Sequence, residues 1–356
     1  MRDLLGPAQT GAALNSAEEA LIATIGQTAE QREEVGVSRQ TMDALAAAGW
    51  LAGNVDAPKY RERAEQLAMA DASVWFCWLQ HQSPLALLKG SSNSALQQRW
   101  LMALQSGCAL GATAFAHLRR PGHPNPIAQR CNKGWLLNGQ LDWVTSWDLA
   151  DVVSVQLRTG AQLDAEVLAV LIHLQTKGQG PDGVMAEAPL ALMAMGGTWS
   201  RPVRLERCLI QEDAVISVVP FQSWQAADQR KTRFANPAAF GLIRAALGDL
   251  HQQAESRHML CWHQQLSALA KEAANLRHAC YTAADDPSQL SDPEHHKQRA
   301  AALELAQRCC RTALLSHGGA GMRAGHASGR RLREAMFLQV QALIPPVQNY
   351  LIQGEG

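Results

Sequence analysis

The sequence predicts an α+β multidomain fold in three parts: an N-terminal α-helical domain (1–105), a middle β-barrel-like domain (106–220) and a C-terminal four-helix bundle (221–356). Near residue 108, long runs with helical spacing of apolar residues give way to short β-rich runs, and near residue 221 the helical spacing returns. A third observation is an apolar seam from Met259 to Cys280, whose steps of three and four residues are typical of a long helix in a bundle.

The N-terminal part contains several helix-forming runs. "SAEEALIATIGQTAEQREEV" begins with Ser16 and two acidic residues, a pattern that favours a helix start. "SRQTMDALAAAGW" predicts a helix stopped by Gly49, and "ALQQRWLMALQSG" predicts one that ends at Gly107. Between them, "YRERAEQLAMADASVWFCWLQHQSPLALLKG" predicts two helices broken near Pro84, because proline interrupts helical hydrogen bonding.

The middle part consists of short β-rich runs separated by Gly, Pro, Asn and Asp: "CALGATAFA", "GWLLNGQLDWVTS", "ADVVSVQLR", "AEVLAVLIHLQ" and "RPVRLERCLI". One of them leads into "LNGQLDWVTSWDLADVV" (137–153), which places Trp143 and Trp147 at the end of a strand. Only 5% of the residues are aromatic, so two tryptophans this close together indicate a specific structural or ligand-binding role. The pair predicts either a buried wall of the β-layer or a platform for a flat, hydrogen-bonding ligand.

The C-terminal part predicts antiparallel helices. "DDPSQLSDPE" ends the helix that carries the seam, and "HKQRAAALELAQRCCRTALLSH" predicts the return helix, ended by Gly318 and Gly319. "GRRLREAMFLQVQALIPPVQNYLI" predicts the last helix, disturbed at Pro345 and Pro346. The seam itself consists of Met259, Trp262, Leu266, Leu269, Ala273, Leu276 and Cys280.

Composition bounds the possible function. The chain has 356 residues, of which 47% are hydrophobic, so it can bury a large core. Its 32 basic and 32 acidic residues leave no basic excess, which argues against binding to nucleic acid or to a membrane surface. No apolar run reaches the length of a membrane span, and the first residues lack the apolar core of a signal peptide.

The eight cysteines form no Cys-x-x-Cys pair, and no Cys/His spacing is typical of a zinc site, so we expect no metal. We interpret these cysteines as reduced and mostly buried thiols, and we expect a cytoplasmic protein.

Four segments, in chain order, resemble motifs of the acyl-CoA dehydrogenase family. "ALQQRWLMALQSGCALGATAF" resembles the segment that leads into the family's flavin-binding strand, and "LNGQLDWVTSWDLADVV" resembles I-N-G-x-K-x-W-I-T-N-x-x-x-A-D. "VRLERCLIQEDAVI" resembles V-x-F-x-D-V-x-V-P-x-x-x-V-L, and "LLSHGGAGMRAGHASGRRLREAMFLQV" resembles GG-x-G-[YF]…P-x-x-R-x-x-RDA. The resemblance covers essentially the whole chain and implies a flavoprotein, with FAD as cofactor and FMN as the alternative.

The resemblance implies roles for several residues around the flavin. Trp143 would pack against the flavin ring, and Thr145, followed by Ser146, would hydrogen-bond near its reactive edge. The alternative is a structural tryptophan at a strand end. Arg257 falls near the family's Arg-x-x-Phe-Gly, which meets the flavin phosphate, but the Phe-Gly is missing here.

The glycines Gly318, Gly319 and Gly321 match those whose backbone lies against the dinucleotide of a neighbouring subunit, with a plain helix C-cap as the alternative. The resemblance thus implies a homodimer or homotetramer. Apolar residues on more than one face of the last helix favour the same assembly: Met336, Phe337, Val340 and Leu343.

The loop "AHLRRPGHPNP" replaces the family's Thr-Glu-Pro-x-x-Gly-Ser-Asp. Its His117, Arg119 and Arg120 are candidates for holding a substrate or a phosphate, since arginine binds phosphates and carboxylates. The alternative is that the two arginines are simply solvated.

The family's catalytic glutamate has no counterpart. Counting forward from Arg333-Glu334-Ala335 places Ala342 at its position, and the other position used in the family, within "RKTRFANPAAF", also lacks an acid. Dehydrogenation of an acyl-CoA needs a carboxylate that removes the α-proton. The resemblance therefore assigns no catalytic residue in this chain.

Three hypotheses stay open. The first is a flavin-dependent oxidoreductase with other chemistry, such as a monooxygenase in which reduced flavin reacts with oxygen. The second is a dehydrogenase whose base comes from elsewhere, and the third is a catalytically inactive family member that serves as a binding or structural protein. The expected partners are a small-molecule substrate, with a thioester among the candidates, and a flavin reductase or electron-transfer protein.

Overall fold

The computed structural model describes residues 3–120, 122, 124–175 and 179–353. Helices occupy the beginning and the end of the chain and strands occupy the middle, so the predicted fold class is confirmed. The first six helices are α1 (Ser16–Gln27), α2 (Ala29–Val35), α3 (Arg39–Ala47), α4 (Ala57–Ala70), α5 (Ala72–Lys89) and α6 (Ser94–Ser106).

The start of α1 follows from its capping residues. Asn15 accepts a hydrogen bond from the backbone N–H of Glu18, and the Glu18 carboxylate accepts one from the backbone N–H of Asn15. This reciprocal pair satisfies two N–H groups that a helix start otherwise leaves free. The end of α6 also follows from its sequence, because Gly107 adopts a left-handed conformation with φ of 78° and so terminates the helix.

The predicted break at Pro84 is wrong. α5 runs through Pro84, and the interruption lies at Asp71, whose carboxylate caps α5 by accepting from the N–H groups of Ser73 and Val74. The proline costs one helical hydrogen bond, but buried side chains on either side of it, Trp78 and Leu85, hold the helix in the core.

The middle of the chain forms one eight-stranded sheet within the described residues. Its strands are β1 (Gly111–Ala114), β2 (Ile127–Cys131), β3 (Gly134–Val144), β4 (Val152–Arg158), β5 (Glu166–His173), β6 (Val184–Ala186), β7 (Arg201–Ile210) and β8 (Val215–Pro220). The strand order is β6-β7-β3-β2-β4-β5-β8, and β1 pairs in parallel with β4, so that Thr113 lies opposite Ser154. Every residue of β4 is buried, as expected for a strand covered on both faces.

The remaining helices are α7 (Phe221–Thr232), α8 (Pro237–Arg257), α9 (Leu260–Asp285), α10 (Asp292–His317), α11 (Ala327–Val340) and α12 (Pro345–Gln353). α10 ends at Gly318, where the sequence predicted it, and α12 begins at Pro345. A proline at the first position of a helix removes no hydrogen bond, so the predicted disturbance is a new helix start.

The apolar seam lies on α9 and is buried at Leu266, Leu269, Ala273 and Cys280. Its first residue is not buried: Met259 is 44% exposed and precedes the helix. The buried part of the seam therefore begins at Leu266, and Met259 at its start lies outside both the helix and the core.

The helices at the two ends of the chain share one hydrophobic cluster, in which Leu67 of α4 lies with Phe240 and Leu247 of α8. Gly241 permits this contact, because a Cβ atom there would collide with the backbone carbonyl of Glu65 on α4. This shared core fixes the helices that face the sheet, and the candidate site lies at that junction. No helix in the described ranges is long and apolar enough to cross a membrane.

Candidate active site

A cavity of about 840 Å³ lies where α5, the sheet and the C-terminal helices meet. Polar side chains from each element line it: Ser83, Thr113, Gln156, Arg119, Asp228, Asn236, Arg299 and Gln341. Apolar and aromatic residues form much of the rest of the wall: Leu79, Phe115, Val167, Val219, Trp224, Phe234 and Ala342. An apolar pocket with a few fixed polar groups is typical of a small-molecule site.

Hydrogen bonds between side chains fix the wall on the sheet side. The Thr113 hydroxyl accepts hydrogen bonds from Ser83 on α5 at 3.2 Å and from Ser154 on β4 at 2.8 Å. The side-chain oxygen of Gln156 on β4 accepts from the indole N–H of Trp224 on α7 at 2.8 Å. These bonds join α5, the sheet and α7, so the cavity has a preformed shape.

Arg119 spans the cavity wall from the loop after β1 to α7. Its Nε and Nη2 donate to the two carboxylate oxygens of Asp228, at 2.8 and 2.7 Å. This two-bond geometry is the strongest that arginine makes with a carboxylate. Arg119 therefore lies in the cavity, as a substrate-binding residue would, but its charge is already paired.

Arg120, its neighbour, points elsewhere and forms an ion pair with Asp142 at the end of β3. Both residues of that pair are substantially exposed. Each of the two arginines considered as phosphate ligands thus has an acidic partner within the chain.

His117 lies buried below the same loop. Its Nε2 is 2.8 Å from the backbone carbonyl of Gln156, and desolvation lowers the pKa of the imidazole to about 4. A neutral, buried imidazole that is bonded to the backbone has no positive charge for an anion. His117 thus faces the backbone of β4 and lies outside the described lining of the cavity.

Ala342, which follows α11, lines the cavity at the position predicted for the catalytic glutamate. Its backbone lies in the left-handed region, with φ of 50°. A methyl group can neither accept a proton nor form a hydrogen bond. The acid that lines the cavity within the described ranges is Asp228, and Arg119 holds both of its oxygens.

Arg299 of α10 supports the backbone around Ala342. Its Nη2 donates to the carbonyl oxygens of Gln341 at 3.1 Å and of Ala342 at 2.9 Å, and its Nη1 donates to the carbonyl of Thr232 at the end of α7. The guanidinium is buried, and desolvation lowers its pKa to about 10; nearby Arg119 lowers it further and Asp228 opposes the shift.

The two tryptophans of 137–153 have different surroundings. Trp147 is 1% exposed and belongs to the core of the sheet, so it forms the buried wall of the β-layer. Trp143 is 52% exposed at the end of β3 and offers an open aromatic face. Trp147 thus matches the interpretation as a buried wall, and the role of Trp143 as a platform for a ligand stays a prediction.

Thr145 and Ser146 lie buried beside Trp143. The Thr145 hydroxyl is 2.8 Å from the hydroxyl of Ser200, which in turn is 2.9 Å from that of Thr198. Ser146 adopts a left-handed backbone conformation with φ of 64°. The hydroxyl predicted to meet a flavin is thus part of an internal chain of hydrogen bonds.

The glycines after α10 differ in their surroundings. A Cβ atom at Gly318 or Gly319 would meet nothing within 4 Å, whereas one at Gly321 would collide with Leu314. Arg257 is exposed at the end of α8. Gly318 and Gly319 thus leave an open backbone on the surface, whereas Gly321 lies packed against side chains of its own chain. Of the predicted site residues, Arg119 and Ala342 line the cavity, and the others lie outside its described lining.

A flavin is the cofactor that these residues were predicted to hold. The open face of Trp143 fits the wall of a flat ring, and the uncovered backbone at Gly318 and Gly319 fits close approach by a dinucleotide. Thr145 does not offer a free hydroxyl, because its oxygen is bonded to Ser200. The residues therefore fit the ring and its tail, and Thr145 fits only if its hydroxyl exchanges partners.

Sequence reasoning missed Asp228 and Arg299. A signal for Arg299 was present, since it lies at helical spacing from the buried residues of α10, Leu303, Ala306 and Cys310. An arginine on an apolar helix face is unusual unless a partner lies nearby. Asp228 gave no such signal, because its partner lies 109 residues away in the chain.

No family model and no curated protein matches the chain. Solved structures do match it. The butyryl-CoA dehydrogenase from Megasphaera elsdenii is 18% identical, with a TM-score of 0.78 over 96% of this chain and 98% of that one. A glutaryl-CoA dehydrogenase from Mycobacterium smegmatis in complex with FADH2 is 16% identical, with a TM-score of 0.75 over 100% of both chains.

A prolyl acyl carrier protein oxidase, AnaB, is 17% identical, with a TM-score of 0.74 over 96% of this chain and 99% of that one. At such low identity these likenesses establish the fold. The chain has the acyl-CoA dehydrogenase fold over nearly its whole length, which confirms the fold implied by the resemblance in sequence.

Proposed function

We propose that this chain is a flavin-dependent oxidoreductase that acts on a small molecule without a carboxylate base from the protein. The observation that supports the proposal is the cavity wall at Ala342, a methyl group at the position that the resemblance assigns to the catalytic glutamate. The other acid of the described lining, Asp228, is held through both oxygens by Arg119. Both oxygens of this carboxylate already accept hydrogen bonds from Arg119, so neither is free to take a proton from a substrate.

The wall composition argues against dehydrogenation of saturated acyl thioesters. That reaction requires removal of a weakly acidic α-proton, and a positioned base accelerates such a step by roughly 10²- to 10⁴-fold. When bound, a flavin supplies two-electron oxidation or, in its reduced form, reaction with oxygen. Reaction with oxygen needs no such base, which favours monooxygenase-type chemistry here.

Different parts of this chain would bind the flavin and orient the substrate. Trp143 would form a wall of the ring site, and the open backbone at Gly318 and Gly319 would receive the dinucleotide of a neighbouring copy. The preformed cavity would orient the substrate and limit access of water. FAD is the favoured cofactor, because a structural neighbour carries FADH2. A monooxygenase would also require a flavin reductase or another electron donor.

A second function, that of an inactive binding or structural protein, has an observation in its favour. The Thr145 hydroxyl is bonded to Ser200 and Arg120 is bonded to Asp142, so two of the predicted ligand contacts are made within the chain. In this case the cavity would bind a ligand without redox chemistry.

Flavin binding decides between the two functions. We expect the purified protein to bind FAD, measured by the change in flavin absorbance and fluorescence on titration. Replacing Trp143 by Ala removes an aromatic contact worth about 1 kcal/mol, so the affinity should fall at least severalfold. Trp100→Ala is the matched control, because Trp100 is a half-buried tryptophan that packs on His173 instead. A folded protein that binds neither FAD nor FMN would leave the second function standing and refute the first.

A further inference from the structure

The wall of the cavity contains a buried cation without an acidic partner. Arg299 is 3% exposed and lines the cavity. Its three hydrogen bonds go to backbone carbonyls, and among the described residues it forms no ion pair with a carboxylate, since the nearby Asp228 is paired with Arg119. Buried charges in proteins are normally paired, because desolvation of an isolated charge is costly.

The guanidinium also has unused donors. Arginine has five N–H groups, and the bonds to the three carbonyls use three of them. The Nε–H is buried and has no partner among the described residues. Because the Nε–H is closed off from solvent, an acceptor that enters the cavity would bond to the second N–H of Nη1.

The other charges of the cavity wall leave it positive. Arg119 is neutralised by Asp228, and Arg61 by Asp285, at 2.7 Å. Lys231 lines the cavity from an exposed position and adds a second positive charge at the surface. A cavity with low-dielectric walls concentrates such a potential and so favours a negatively charged ligand.

We infer that the cavity binds a small carboxylic acid as its anion, with the carboxylate paired to Arg299 beside Ala342. This inference deepens the proposed function, because it names the substrate class of the same cavity. The aromatic and aliphatic part of the wall, including Phe115, Trp224 and Phe234, would hold an apolar body attached to the carboxylate.

The pairing explains why the wall has an arginine near the place of the missing glutamate. A neutral acyl group or an amide would leave Arg299 without a counter-charge, whereas a carboxylate compensates it and accepts a hydrogen bond from its free Nη1 N–H. An ammonium ligand would add a like charge and should be excluded.

The test compares acids with their neutral amides. The probes are hexanoate with hexanamide and phenylacetate with phenylacetamide, titrated into the unmodified protein near neutral pH by isothermal titration calorimetry. We expect each acid to bind at least about tenfold more tightly than its amide, because charge-assisted hydrogen bonds are about twice as strong as neutral ones. Equal affinities for acid and amide, or no binding of either acid up to roughly millimolar concentration, would overturn the inference.

Two variants test whether the charge of Arg299 causes the preference for the acid. Arg299→Gln removes the buried charge and should abolish the preference for the acid. Lys231→Gln removes one charge from the exposed side of the same cavity and should change the affinity by less than about threefold, because water and salt screen it. If Arg299→Gln does not fold, the comparison of acid with amide on the unmodified protein still decides. An unchanged preference in folded Arg299→Gln would contradict the inference.

Titrations with and without added FAD separate this inference from the proposed function. Carboxylate binding without flavin binding refutes the proposed function alone. Flavin binding with no preference for acids refutes the inference alone.

Discussion

Arg119 holds Asp228 through two parallel hydrogen bonds, 2.8 and 2.7 Å long, across the wall between the loop after β1 and α7. The pair fastens the sheet to the C-terminal helices at the edge of the cavity. It also occupies the acid of the described lining that would otherwise be available as a base.

This pair should contribute measurably to stability. In a double-mutant cycle with Arg119→Ala and Asp228→Ala, we expect a coupling energy of about 1–3 kcal/mol, because the bonds are charge-assisted and mostly shielded from water. The control is the pair Arg130 and Glu212, whose side chains are 60% and 57% exposed, where the coupling should be below about 0.5 kcal/mol. Urea denaturation measures both, and equal couplings would show that the inner pair is solvated.

The backbone at Ala342 predicts a stabilising substitution. At φ of 50°, an alanine is disfavoured by about 1–2 kcal/mol, whereas glycine adopts this conformation freely. After subtracting the entropy that glycine loses on folding, Ala342→Gly should raise the free energy of unfolding by about 0.5–1 kcal/mol. Ala274→Gly, at an exposed position within α9, should lower it by about 1 kcal/mol. Destabilisation by both substitutions would mean that residue 342 is not left-handed in solution.

The buried histidines predict how stability depends on pH. Burial lowers the pKa of His117 and of His81 to about 4, below the value near 6.5 of an exposed histidine. The folded state therefore binds fewer protons than the unfolded state, so their contribution to stability is complete above pH 6.5 and is lost as the pH falls towards 4. Each histidine should account for about 3 kcal/mol over that range.

His117→Gln isolates one share of this effect, because glutamine does not titrate and can still donate to the Gln156 carbonyl. The free energy of unfolding of this variant, measured by urea denaturation at several pH values, should fall less steeply between pH 6.5 and 4 than that of the unmodified protein. Parallel curves for the two proteins would show that His117 titrates normally.

The surface around the open glycines predicts self-association. Leu315 and Met322 are exposed on either side of Gly318 and Gly319, and Val340 is exposed on α11. Uncovered apolar residues of this kind are typical of an interface. We expect light scattering to give the mass of a homodimer or homotetramer at micromolar concentration, and Leu315→Glu to shift it towards monomer. Met102→Glu, at an exposed methionine of α6, should leave the mass unchanged. A monomeric unmodified protein would contradict both the assembly and the role of the glycines.

The sequence predicted much of the fold because local patterns determined it. The spacing of the seam predicted α9, and the glycines after His317 predicted the end of α10. The predicted helix break at Pro84 was wrong because tertiary packing of α5 outweighed the local cost of a proline. At the site, Ala342, which the register from Arg333-Glu334-Ala335 assigns to the position of the glutamate, lines the cavity. The partners of Arg119 and Arg299 were not predictable, since ion pairs and buried charges depend on residues far apart in the chain.

The central claim is that a flavin in this protein works without a carboxylate base, and anaerobic spectroscopy tests it most directly. The protein is loaded with FAD, freed of oxygen and mixed with saturated acyl-CoA thioesters of several chain lengths, while the absorbance of the oxidised flavin is followed. With Ala342 in the cavity wall and Asp228 held by Arg119, we predict that the absorbance stays unchanged. Rapid bleaching would contradict the account, because it would show that another group of the protein removes the α-proton.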